Sequence, residues 1–87
     1  MCQTFQLKGT DVRDYFRTAR RVSDREYGHD LAAAMCFAEG KLTFRDGSTG
    51  NWNIDQARRG LLTLPNGKTY YYYYCPKCRA KVFPPPP

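Results

Sequence analysis

Tyr70 to Tyr74 is an unbroken run of five tyrosines, and it runs directly into Cys75-Pro76-Lys77-Cys78. Tyrosine favours the pleated, half-buried backbone of a strand. Side chains alternate along a strand, so Tyr70, Tyr72 and Tyr74 share one face while Tyr71 and Tyr73 share the other. One set can pack beneath the rest of the chain with its hydroxyls reaching a partner or water. The other set then lies on the outer face of a sheet. Upstream, Leu61 to Leu64 is a second β-prone stretch. Between the two lie Pro65, Asn66 and Gly67, where Asn and Gly tolerate positive φ. The pattern predicts a C-terminal β-hairpin that ends in a C-x-x-C knuckle.

The rest of the chain supplies the partners of that hairpin. Residues 2–8 alternate enough for a short first strand. Thr10 or Asp11 can cap a first helix, in which Val12, Tyr15, Phe16, Ala19 and Val22 fall on one face at 100° per residue. Arg13, Arg17, Arg20 and Arg21 flank that face. Ser23 and Glu26 have the spacing of a capping box, which predicts a second helix from Asp24 to Ala38. Gly40 stands close to its stop. Residues 41–45 and 51–54 read as a hairpin around Asp46-Gly47-Ser48-Thr49-Gly50, and residues 79–83 as a short edge strand. The expected fold class is α+β, with two helices packed on one face of a four- to five-stranded, mostly antiparallel sheet. At 87 residues there is room for one core. Residues 1–83 form a single domain and Pro84 to Pro87 a polyproline tail.

Charge is distributed unevenly. Residues 1–55 hold eight basic and eight acidic side chains, which cancel. From Gln56 onward there are six basic residues (Arg58, Arg59, Lys68, Lys77, Arg79, Lys81) and no acidic one, so this third carries the whole net charge of +6. An excess of this kind beside a tyrosine strand favours an anionic partner, either nucleic acid or an acidic protein surface.

Cys75 and Cys78 can bind one metal ion from a tight turn, and the fragment Cys75-Pro76-Lys77-Cys78 resembles the knuckle of zinc-ribbon domains. That resemblance implies a structural zinc ion with four ligands. Ribbons carry a second cysteine pair, which this chain lacks, and Arg79 stands where glycine often follows the knuckle. Further ligands would come from Cys2, Cys36 or His29. A Cys75–Cys78 disulfide, a redox pair, or two passive thiols are the other outcomes of the same spacing. The N-terminus lacks the order of a signal peptide, and no apolar stretch approaches a membrane span, so the expected compartment is the cytoplasm.

No motif points to catalysis. There is one histidine, and G-x-G-x-x-G, H-E-x-x-H and G-x-S-x-G are all absent. The expected function is therefore binding without chemistry. Bases would stack on Tyr70, Tyr71, Tyr72 and Tyr73, with Trp52 extending the platform, while Lys68, Lys77, Arg79, Lys81, Arg58 and Arg59 track phosphates. The arginine stripe of the first helix (Arg13, Arg17, Arg20, Arg21) is a second candidate surface. The alternative is a small inhibitor or adaptor that docks stoichiometrically on a protein or nucleoprotein complex, with Tyr and Arg as anchors. Phage-encoded antagonists of defence complexes, the anti-CRISPR class among them, are similar in size and in lacking catalytic motifs.

Overall fold

The computed structural model describes residues 5–31, 34–79 and Phe83. In chain order the elements are helix α1 (Gly9–Thr18), strand β1 (Arg20–Val22), a π-helical turn (Glu26–Asp30), and strands β2 (Phe37–Thr43), β3 (Thr49–Asp55), β4 (Arg59–Thr63) and β5 (Tyr70–Tyr74). The strands form one sheet in the order β1-β5-β4-β3-β2, with every neighbouring pair antiparallel. The α+β class and the antiparallel sheet thus agree with the sequence.

The hairpins follow their local signals. In the β4–β5 turn Gly67 has φ +71°, and the Asn66 side-chain oxygen accepts from the amides of Lys68 and Thr69 at 2.8 and 2.9 Å. Gly67-Lys68-Thr69 therefore opens a strand. In the β2–β3 turn Gly47 has φ +88°, and Asp46 accepts the Ser48 amide at 2.9 Å. The strand of the first hairpin begins earlier than expected, at Phe37, because Phe37 and Ala38 pair with Asp55 and Ile54.

Two helix expectations are corrected. The first helix ends at Thr18, and Arg20–Val22 is recruited to the sheet by pairing with Tyr74–Tyr72. This long-range pairing overrides a helical periodicity that would have run to Val22. The second helix, expected over Asp24–Ala38, is a single π turn. Its start signal is real, since the Ser23 hydroxyl accepts the Glu26 amide at 3.0 Å. Glu26 turns its carboxylate to Arg20 instead of back to the cap, at 2.6 Å. Gly28 lies within the turn, where glycine weakens a helix, and by Leu31 the backbone is extended. The predicted first strand is not one over residues 5–8. Its beginning, residues 80–82 of the predicted edge strand, and Pro84 to Pro87 lie outside the described residues.

The core lies between α1 and one face of the sheet. Val12 and Tyr15 of α1 are buried with Trp52, Ile54, Leu62, Phe5, Cys75 and Phe83. Gly60 makes room for Tyr15: a Cβ there would lie 2.6 Å from the phenol ring. The Tyr15 hydroxyl donates to the Arg58 carbonyl at 2.9 Å, joining the helix to the β3–β4 turn. Phe16 meets Tyr73 edge-on at 5.1 Å. The π turn uses the other side of β5, where Tyr27 packs against Tyr72 at 4.8 Å. Since β1 and β2 are consecutive but form opposite edges, the connector between them crosses the sheet, and the π turn is its described anchor.

Candidate binding surface

Pairing of β1 with β5 brings together two surfaces that are about fifty residues apart in sequence. The register sets Arg20 against Tyr74 and Arg21 against Tyr73. The Arg21 guanidinium lies 3.9 Å from the centre of the Tyr71 ring, and that of Arg20 lies 5.6 Å from the Tyr74 ring. Cation–π contacts at exposed sites contribute about 0.5–1 kcal/mol each. A guanidinium stacked on a ring keeps its in-plane N–H donors available to phosphate or carboxylate oxygens. Arg20 directs two of its own to Glu26, yet its side chain remains 54% exposed. On α1, Arg13 is exposed, and Arg17 is 3.8 Å from Asp14 with both side chains 71% exposed. An ion pair this open contributes little and leaves Arg17 usable.

The tyrosines are less bare than a stacking platform requires. Only Tyr70, at 50%, is exposed; Tyr71 to Tyr74 are intermediate. Each of these four has a covering group: Arg21 for Tyr71, Tyr27 for Tyr72, Phe16 for Tyr73 and Arg20 for Tyr74. Burial pushes the Tyr73 phenol above its ordinary pKa, against the opposing pull of Arg21. Tyr27 is likewise raised, by burial first, with Arg59 opposing. Trp52, expected to extend the platform, instead faces the core.

Arg58 and Arg59 sit in the basic third of the chain but turn inward. Arg58 is buried, with φ +77° at the tight β3–β4 turn. Its Nη1 donates to the carbonyls of Cys75, Pro76 and Cys78 at 3.3, 3.5 and 2.6 Å. Its own carbonyl accepts the Cys75 amide at 3.0 Å. Arg58 thus clamps the knuckle. Arg59 is bound by Asp55 through Nε at 2.8 Å and through its amide at 3.0 Å. It also donates to the Tyr27 carbonyl at 2.8 Å, and its guanidinium covers the Tyr27 ring at 4.2 Å. Sequence reasoning missed Tyr27 and Asp55 as organisers of this region. The one available signal was the close spacing of Asp55 and Arg59 across a turn.

Lys68, Lys77 and Arg79 are exposed; Lys81 lies outside the described residues. Lys77 and Arg79 border a cleft of about 520 Å³ with Asp11, Asp14 and Cys78. Of the outcomes open to Cys75 and Cys78, the structure shows a disulfide, with Cα atoms 5.5 Å apart. Cys36 is disulfide-bonded too, and Cys2 lies outside the described residues. Zinc binding by Cys75 and Cys78 would require the reduced pair. Among the described residues no three His, Cys, Asp or Glu side chains form a metal-holding group. His29 is exposed at the end of the π turn. Among the described residues no helix is long and apolar enough to cross a membrane.

No family model, curated protein or solved structure matches this chain.

Proposed function

We propose that this protein is a non-enzymatic binding module that holds the phosphate backbone of a nucleic acid along the arginine–tyrosine edge of its sheet. The observation that carries this reading is the β1–β5 register, which sets Arg20 and Arg21 over the tyrosine strand. Arg13 and Arg17 lie on the preceding helix, and Lys68 lies at the hairpin tip. The arginines contact phosphates, and Tyr70, the exposed ring, stacks on one base. Covered rings elsewhere on β5 make this a backbone reader with little base preference.

The test is a salt titration of binding to a fluorescent single strand, repeated with a duplex. Affinity is expected to fall log-linearly with salt. The double variant Arg20→Ala/Arg21→Ala should weaken binding about tenfold or more and flatten the single-strand slope by about 0.7 for each phosphate it no longer neutralises. Its circular dichroism should stay native. Absence of binding at ~50 mM salt, where phosphate contacts are strongest, would refute the reading.

Covering of Tyr71 to Tyr74 supports a second reading, a stoichiometric inhibitor or adaptor. In that case the same edge meets an acidic protein surface, with Arg21 and Tyr70 as anchors. The complex would then survive moderate salt.

A further inference from the structure

We propose that β2 is a self-pairing edge, through which two copies of this chain join their sheets into one antiparallel sheet of ten strands. β2 has β3 on one side, and among the described residues no strand lies on the other. An exposed edge of seven residues leaves a row of backbone donors and acceptors that template another strand. The sequence of β2, Phe37-Ala38-Glu39-Gly40-Lys41-Leu42-Thr43, specifies which strand fits. Reversed about Gly40, it sets Glu39 against Lys41 of the second copy, and Lys41 against its Glu39. Ala38 then faces Leu42, and Phe37 faces Thr43. Glu39 and Lys41 are both exposed on the same face as Phe37. The two-fold arrangement therefore makes two opposite-charge cross-strand pairs at its centre, each of a favourable kind.

Two further observations converge on this edge. Met35 and Phe37 are 94% and 50% exposed, two of the three large apolar side chains exposed among the described residues. Phe37 opens β2 and Met35 lies two residues before it; Phe37 would be covered by the second copy's Thr43, and Met35 would approach its Arg45. On the opposite side of the sheet a groove of about 530 Å³ runs between α1 and β2, lined in part by Val12, Phe16, Leu42 and Trp52. Ala38 and Leu42 of the second strand would border it. Gly40, which the symmetry axis would pass through, is glycine because a Cβ there would lie 2.9 Å from the Trp52 indole.

The proposal is independent of what the arginine edge binds, and its test involves no nucleic acid. Sedimentation equilibrium of the full chain over about 1–200 μM should show a monomer–dimer equilibrium. Glu39→Lys and Lys41→Glu each replace two attractions with two repulsions, and each should raise the dimer dissociation constant at least about tenfold. The double exchange Glu39→Lys/Lys41→Glu restores complementarity and should return the dimer to near its original strength. Circular dichroism of each variant separates loss of pairing from loss of fold. A wild-type chain that stays monomeric throughout overturns the proposal and leaves the edge to a different strand or to none. Dimers indifferent to the single changes, or folded double-exchange chains that remain monomeric, overturn it as well.

Discussion

The two edges of this sheet are finished in different ways. At one, β1 contributes only three residues, and its arginines lie over the rings of β5. At the other, β2 contributes seven residues whose outward side chains alternate Phe, Glu, Lys and Thr. The first edge is short, and its chemistry is that of guanidinium groups laid over the rings of the neighbouring strand. The second is long, and it has no further strand beside it among the described residues, so its chemistry is that of edge backbone plus a charge pattern. A small sheet can therefore present two unlike surfaces without a loop or pocket devoted to either.

Breaking the shared scaffold should give the largest effects. Asp55→Ala removes the carboxylate that satisfies both the guanidinium and the amide of Arg59, in a pair whose side chains are 15% and 5% exposed. Loss of one partner of a buried pair leaves the other uncompensated, and about 3 kcal/mol of stability should disappear in a denaturant titration. Amide exchange should rise more over residues 23–31, which Arg59 anchors, than over β2. Equal exchange at both edges would show that the π turn is not tied down in this way. Gly60→Ala comes next. The new methyl meets the buried Tyr15 ring, and an overpacked core of this kind should lose about 2 kcal/mol. Unlike the Asp55 change, it should weaken both edges alike.

The smallest effect appears only in alkali. Burial raises the Tyr15 phenol far above its ordinary value of 10.0, and Tyr27 and Tyr73 are raised for the same first reason. Below pH 10 both folded and unfolded chains keep these protons, and the stabilisation is fully present. As pH climbs past 10, the unfolded chain releases them while the folded one retains them, so stability falls. Tyr15→Phe should be less stable at neutral pH, having lost the bond to the Arg58 carbonyl, but should decline less steeply above pH 10. No tyrosine lies on β2. Alkaline loosening should therefore reach the arginine edge first, as tyrosine absorbance and amide exchange can show.

What could be read from the sequence depended on how local the deciding interaction was. The two hairpins carry their instructions within a few residues: Asn66-Gly67 and Asp46-Gly47 set the turns, and alternation sets the faces. The core face of α1 was equally legible in Val12, Tyr15 and Phe16. The helix predicted over Asp24–Ala38 failed because Leu31 to Ala38 is apolar all round, a pattern that a helix and a strand can share. Pairing of Phe37 and Ala38 with β3 decided its end in favour of strand. Arg20 to Val22 failed for the same reason, since β5 lies half the chain away. The inward turn of Arg58 had no local sign either. It depends on the knuckle carbonyls being brought to the β3–β4 turn, which only the assembled sheet does. Hence the basic composition of the last third overstated its basic surface, and the arginines of α1 and β1 make up part of the difference.

The strand order has a kinetic side. β2, β3, β4 and β5 form a meander of successive hairpins, in which each pairing closes a short loop. Arg20 meets Tyr74 across fifty-four residues of chain, the longest separation of any pairing in the sheet, and closure entropy grows with loop length. Pairings of that separation slow folding and are expected to form after the local ones. The edge that holds the arginines over the tyrosines should then be the last part of the sheet to assemble and the first to open. A nascent or partly unfolded chain would keep its β2 edge while lacking its cationic one, so competence to bind phosphate would itself report that the whole fold is complete.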